Sequence, residues 1–512
     1  MLTNKCVQII HVLFFLVAAW VNIIVLGISI KKYSVFFIVI VSIMYGGYKW
    51  VKRNEDFCLE HICFTKRKEQ VFYFLLLIAF FLMLLIAFSL EVDVYNTWDY
   101  GQLIRSAYET VINGKLENTA YFARYPNNSF YMLILSSYFK CISSFAKDNI
   151  YNYLNATIPI NCILVALSIL FTYLTAKIFL TEKAAFRCGM IMLGLSPLYV
   201  YSTIAYTDVF AIFPASLILF LYMKGKTEKI YRKRMVWFCL AAMLTAVGYK
   251  IKATLIIFFV AIVIDISFSI IKRRKYFLML IIYISVFFVS IGACTTVSTE
   301  FLYNNGVTEG MRQEEEFPIT HWFMMGINPR YSGGFNQEDV DYTKSHIGRE
   351  SKMSANITEI EERLKNMKAG GTIKHVLIKK VARMWGSGDC SGSDYVSRQP
   401  RSNNIWRQVF SLGGHYNYIY RLCAQLYYAF VIMAIFRTAV SVMKNREINK
   451  GFMVELTFLG VFMFFLIWEC NSRYLFVFLP VLVLLIFSSK ERGESVWEPI
   501  SAMSFQNAKK IL

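Results

Sequence analysis

Long apolar blocks alternate with short polar connections along most of the chain, and one long polar stretch interrupts the alternation. Blocks of about 17 or more apolar residues can cross a hydrocarbon layer of roughly 30 Å as helices. The pattern predicts helices at about 9–29, 33–49, 72–90, 129–145, 156–176, 185–201, 209–224, 235–249, 253–271, 277–295, 416–442, 452–468 and 474–488, giving 12 or 13 spans. The first block is too long for a signal peptide, lacks a small-residue cleavage pattern and is followed at once by another, so it reads as a retained helix. Five regions follow. Residues 1–70 hold two N-terminal spans and a basic loop. Residues 71–295 form a transmembrane core with a first external loop at 91–128. A polar domain occupies 296–410, the C-terminal spans 411–490, and a tail 491–512.

Composition narrows the class. Of 512 residues, 56% are hydrophobic and only 17% charged, against about 25% charged in soluble domains. That excludes a soluble enzyme, a coiled coil and a disordered chain. The expectation is an all-α polytopic membrane protein with a mixed, partly helical extracytoplasmic domain.

The net charge of +20 would suit nucleic acid if it formed one surface. Instead Lys49 to Lys68, Lys224 to Arg234, Lys272 to Lys275 and Lys444 to Lys450 are short loops between apolar blocks, while the stretch 296–410 is nearly neutral, with 15 Lys+Arg against 14 Asp+Glu. Excess Lys and Arg in short loops marks the cytoplasmic side. The charge therefore sets orientation, in the plasma membrane, and implies no nucleic-acid partner. One segment disobeys: if 129–145 and 156–176 both cross fully, Lys177, Lys183 and Arg187 land outside. Either one of the two does not cross, or this loop breaks the rule. The eleven cysteines are scattered and offer no disulfide framework. Cys58, His61 and Cys63 share a loop but lack a second ligand pair for a metal.

In the polar stretch, Asn356 is placed to cap a helix through about Lys368, stopped by Gly370-Gly371. A second helix carries Ile373, Val376, Leu377, Val381 and Met384 at helical spacing, with Lys374, Lys379, Lys380 and Arg383 as a basic face. That face suits either the membrane surface or solvent.

Charged groups at membrane depth are costly, so those at span ends usually have a partner or a task. Five clusters fall at the same side. The first is EVDVYNTWDYGQ with Asp93 and Asp99, followed by YFARYPNN with Arg124 and Tyr125; Asp99 is either an N-cap for an amphipathic helix ending at Gly114 or a general base. The second is YSTIAYTDVF with Asp208, again a cap or a site residue. The third is GYKIKAT: one lysine is explained by snorkelling, but Lys250 and Lys252 together suggest an anionic ligand. The fourth is FPITHWFMMGIN, a loop returning to the membrane, in which His321 is structural or a site residue. The fifth is WECNSRYLF, where Glu469 and Arg473 have the spacing of a local ion pair, while the arginine's planar fork also suits phosphate. Carboxylates with Lys and Arg beside lipid fit an enzyme that holds a membrane-anchored phosphate ester and deprotonates an acceptor hydroxyl.

The run Asp99 to Gly114 followed by YFARYP resembles the first external loop of GT-C glycosyltransferases, most closely the family 39 group that includes protein O-mannosyltransferases and the lipid A aminoarabinose transferase. YTDVF, the lysine of GYKIKAT and E-x-x-x-R-Y resemble that group's recurring elements, and FPITHWFMMGIN with GGFNQED resembles bacterial members. The likeness covers about residues 70–490. It implies a polyprenyl-phosphate sugar as donor, inversion at the anomeric carbon, and a glycan, lipid or protein acceptor in the cell envelope. By position, Asp99 takes the place of the catalytic carboxylate, Arg124 falls near a basic position, Asp208 matches a second acidic residue, and Lys252 and Arg473 would face the donor phosphate. The acidic pair of some relatives is here Asp99-Tyr100, so Asp93 stays an alternative base. Glu91-x-Asp93 resembles a metal-binding pair, but a lipid monophosphate needs no bridging cation, so no metal or other cofactor is expected. The competing readings are an envelope polysaccharide polymerase or ligase, which would lean on external arginines and a histidine, and a transporter or flippase, which would break or charge helix centres.

Overall fold

The computed structural model describes residues 2–53, 68–95, 98–272 and 276–488. The Cys58, His61 and Cys63 group, Arg273 to Lys275 and the tail 491–512 lie outside the described residues. Helices α1 (Leu2–Arg53), α2 (Lys68–Leu90), α3 (Asp99–Asn113), α4 (Ser129–Ala146), α5 (Ile150–Phe179), α6 (Thr207–Thr227), α7 (Tyr231–Ile251), α8 (Ile256–Lys272), α9 (Tyr276–Asn304), α10 (Arg349–Ala369), α11 (Ile373–Trp385), α12 (Asn417–Val442) and α13 (Phe452–Ile467) form the framework, joined by shorter helices and turns. Among the described residues the only β pairing is an isolated antiparallel bridge between Val92 and Pro400, so the polar domain is helical rather than mixed.

Eight helices among the described residues are long and apolar enough to cross a membrane, and two shorter apolar helices, Phe452–Ile467 and Ser472–Leu485, accompany them. This corrects the expected 12 or 13. The segments 9–29 and 33–49 are one continuous helix, because Lys31-Lys32 are good helix formers and neither Gly nor Pro interrupts them there. The segment 185–201 is broken into Glu182–Leu193 and Pro197–Tyr201, with Gly194 ending the first and Pro197 starting the second.

The conflict over residues 129–176 is resolved by α4. Near its start, Asn128 Nδ2 donates to the Tyr121 hydroxyl (2.8 Å). Past its middle, Tyr138 donates to the Ala156 carbonyl near the start of α5 (2.7 Å), and Arg401 lies over the Tyr151 ring at 4.5 Å. Both ends of α4 therefore sit at one end of the bundle, and of the two helices only α5 is long and apolar enough to cross. Lys177 then pairs with Glu69 at the far end, among the basic loops.

Lipid is as apolar as Leu, so helices in a membrane are held by close packing and polar ties rather than by the hydrophobic effect. Two buried ties lie at the end opposite Asp99. Asp265 on α8 accepts from Lys226 (2.7 Å) and Tyr222 (2.6 Å) on α6. Glu455 on α13 binds His11 Nδ1 on α1 (2.9 Å) and accepts from Asn449 (2.6 Å). Charged groups thus occupy both ends of the bundle, not one face only. α1 also lies along α12 and α13 through Tyr33 with Tyr418, Phe14 with Phe458 and Trp20 with Phe462.

In the polar domain α10 begins at Arg349, earlier than expected. Asn356 is not its cap but a fully buried residue inside it, whose Oδ1 accepts from Thr343 (2.9 Å). α11 has the expected bounds and buries Val376, Val381 and Met384. Lys380 is not part of its basic face: it is 1% exposed and donates to the Gly326 carbonyl.

Candidate active site

The site forms where α3, α6, the α7–α8 turn and the segment after α13 end on the same side. α3 starts at Asp99 because the preceding residue, Trp98, is extended (φ −94°, ψ 163°), and it stops at Gly114, whose φ of +71° favours glycine. The N-cap position is Trp98 and carries no side-chain cap. Asp99 is thus free of capping duty. Its Oδ1 accepts the Tyr121 hydroxyl (2.8 Å) and its Oδ2 the Tyr206 hydroxyl (2.9 Å), so two phenols fix the carboxylate plane. Asn128 in turn fixes Tyr121.

Asp208 is not a cap either; the N-cap of α6 is Tyr206. At 1% exposure, the Asp208 carboxylate lies 2.7 Å from Lys252 Nζ and 3.2 Å from Arg473 Nε. Lys252 and Arg473 are therefore brought together on a shared buried carboxylate. Burying one carboxylate with two cations is tolerable only if the charges are paired closely. Arg473 is boxed by aromatic faces: Tyr395 (4.5 Å), Tyr206 (4.9 Å), Tyr474 (5.4 Å) and Trp98 (5.6 Å). Among the described residues its Nη groups make no hydrogen bond, so both NH₂ groups of the planar fork remain uncommitted. Glu469 does not pair with Arg473; it accepts from Tyr474 (2.6 Å), and Lys252 lies over the Tyr474 ring at 4.8 Å. Tyr206 joins the two halves, with its hydroxyl on Asp99 and its ring under Arg473.

The FPITHWFMMGIN segment, helical over Ile319–Gly326, forms a wall. Phe317 N–H donates to the Arg124 carbonyl (3.1 Å), Glu469 N–H to Trp322 (3.2 Å) and Cys470 N–H to Gly333 (2.8 Å). Gly326 makes this seam possible, since a Cβ there would lie 2.3 Å from the Ile467 carbonyl oxygen. Tyr125 packs on Phe317 (5.4 Å) and Trp322 (6.0 Å), lining the same wall.

Other expected residues stand apart. Arg124 pairs with Glu315 behind the wall. Lys250, two residues before Lys252, is half-buried and makes no ion pair among the described residues. Asp93 lies on the extended segment that pairs with residues 399–401 and accepts from the Tyr95 N–H (3.1 Å). Among the described residues, no group of three or more His, Cys, Asp or Glu side chains converges to hold a metal.

His321 is fully buried. Its Nδ1 is 2.7 Å from the Thr343 hydroxyl, which itself donates to Asn356. Burial pushes its imidazole down to about 4. The unfolded chain, with a pKa of about 6.5, therefore binds the extra proton. Stability is full above pH 6.5 and is lost as the pH falls toward 4, by about 3 kcal/mol in all. In detergent, the unfolding midpoint of His321→Gln should fall less steeply over that window than the parent's. Parallel profiles would show that His321 does not titrate this way.

Trp98, Tyr121, Tyr206 and Tyr395 were not singled out from sequence. Tyr121 and Tyr206 stand inside the quoted motifs YFARYP and YTDVF, so their proximity to Asp99 and Asp208 was a usable signal. Tyr395 had none, because its contact with Trp98 (5.0 Å) joins distant parts of the chain.

No curated protein matches the chain. Among solved structures, it is similar to the oligosaccharyltransferase AglB of the archaeon Archaeoglobus fulgidus, solved with an inhibitory peptide and a dolichol-phosphate. Identity is 14% and the TM-score 0.42, over 83% of this chain and 50% of that one. A second structure of an Archaeoglobus fulgidus oligosaccharyltransferase, tethered to an acceptor peptide, matches at 14% identity and a TM-score of 0.40, over 83% and 49%. ArnT from Cupriavidus metallidurans matches at 12% identity and a TM-score of 0.32, over 82% and 76%. The chain spans about half the length of the archaeal enzymes it matches. A family model described as conserved hypothetical integral membrane protein matches residues 2–493, and the chain belongs to that family.

Proposed function

We propose that this integral membrane protein is a GT-C-type glycosyltransferase that moves a sugar from a polyprenyl-phosphate donor to an acceptor hydroxyl. One observation carries the reading: an oriented carboxylate, Asp99, shares a tyrosine with a guanidinium whose Nη donors are uncommitted. The first suits a base and the second a phosphate, and the chemistry needs both. The acceptor oxygen attacks the anomeric carbon while the bond from that carbon to the phosphate oxygen breaks. Asp99 takes the acceptor proton, the sugar inverts, and polyprenyl phosphate leaves against Arg473 and Lys252. Donors fixed before the reaction stabilise the developing charge without reorganising. The site lies at the end of the bundle opposite the basic loops, which the positive-inside rule makes the extracytoplasmic side. The His11–Glu455 and Lys226–Asp265 groups at the other end are paired and each joins two helices.

Purified protein in detergent should bind a C55 polyprenyl phosphate, and Arg473→Gln should weaken that binding about ten- to hundredfold, as for loss of a charge-assisted hydrogen bond of about 1.5–3 kcal/mol. Unchanged affinity in a folded variant would place the phosphate elsewhere.

A further inference from the structure

The basic helix α11 has no part in the chemistry above. Its inner face, with Val376, Lys380, Val381, Met384 and Trp385, is buried, and Lys380 reaches the site wall at Gly326. On another side it borders a cleft of about 550 Å³ lined by Trp20, Met367, Ile373, Leu377 and Ile378, with Lys368 and Lys374 at its rim. No acidic side chain lines this cleft.

Trp20 connects the cleft to the bilayer. Ile9, Leu13, Leu16, Ile23 and Ile30 of α1 are 45–70% exposed, and with Trp20 they follow the alternating three- and four-residue spacing of one helix face. In a chain that spans a membrane, such a stripe is covered by acyl chains. The cleft is thus continuous with lipid on one side and edged by two exposed lysines on the other.

We propose that the cleft between α1 and α11 is a binding site for an anionic phospholipid of the bilayer. One acyl chain lies along Leu16, Trp20 and Ile23, and the headgroup phosphate lies against Lys368 and Lys374. Such contacts strengthen binding about fivefold per lysine, and they are screened by salt. The exposed Lys379 and Arg383 lie on the other side of α11, Arg383 beside Gly334, and take no part in this cleft. The occupant is distinct from the donor, because the buried face of α11 separates the cleft from Arg473 and Lys252. The inference does not depend on the proposed transfer reaction.

The test is native mass spectrometry of the full chain released from nanodiscs of mixed phosphatidylglycerol and phosphatidylcholine. The parent should retain one phosphatidylglycerol in preference to phosphatidylcholine. Lys368→Gln with Lys374→Gln should reduce that retention about 25-fold, with an unchanged unfolding midpoint because both side chains are exposed. High salt in the nanodisc sample should reduce the parent's preference as well, a check that needs no variant. Equal retention of the two lipids would overturn the proposal. So would a double variant that binds like the parent, or displacement of the phosphatidylglycerol by stoichiometric C55 polyprenyl phosphate, which would assign the cleft to the donor.

Discussion

Asp99→Asn should lower turnover of a polyprenyl-phosphate sugar by about 10²–10⁴-fold while polyprenyl-phosphate binding stays within a few-fold of the parent. The substitution keeps the size and shape of the side chain and removes only its capacity to hold a proton. Helix capping cannot account for such a loss. Asn caps about as well as Asp, and the cap position belongs to Trp98 in any case. The phenols of Tyr121 and Tyr206 both donate to the carboxylate. In the amide, one of those sites becomes an NH₂ group and must be re-paired, so a small loss of stability accompanies the kinetic effect. Asp93→Asn is the control, since Asp93 lies on the segment paired with residues 399–401. A reversal, with Asp93→Asn silent enzyme and Asp99→Asn active, would move the base to Asp93. Activity in both variants would remove this loop from the chemistry.

The largest effect on stability should come from Asp208→Asn. It leaves Lys252 and Arg473 side by side, both largely buried, without the carboxylate that lies between them. Breaking a buried ionic group by removing one partner costs about 3–5 kcal/mol, because the remaining charge is stranded. Lys252→Met should cost less, since Asp208 keeps Arg473. Combining Lys252→Met with Asp208→Asn should recover part of the loss, because one stranded cation is gone. Unfolding midpoints in a single detergent would read all three. Additive losses in the double variant would show that Asp208 and Lys252 act independently, against the geometry.

The two kinds of information in the sequence had different reach. Sidedness was legible: Asp99, Asp208, Lys252 and Arg473 all follow from apolar blocks and the charges that end them, and they do gather in space. Span number was less so. Hydrophobicity makes 129–145 look like a crossing, but a helix can lie along the bundle end and return, and only the contacts of Tyr138 and Asn128 decide. Asn356 reads as a cap because Asn favours that role. In the fold its amide completes a buried network with Thr343 and His321, a demand that local sequence does not display. Tyr395 was invisible for the same reason: its value lies in sitting between Trp98 and Arg473, and that is a property of tertiary packing alone.

The shared carboxylate at Asp208 also bears on how the protein is made. Synthesis delivers α6 to the membrane first, α7 and Lys252 next, and Arg473 only half a chain later. Until the last apolar segments are in place, Asp208 has at most one of its two cations, and the wall from Phe317 to Gly333 has no Glu469 or Cys470 backbone to close upon. The end of the bundle that holds Asp208 is therefore the last part of the molecule to become electrically balanced. This end of the bundle cannot close before Arg473 and the backbone beside it are in place.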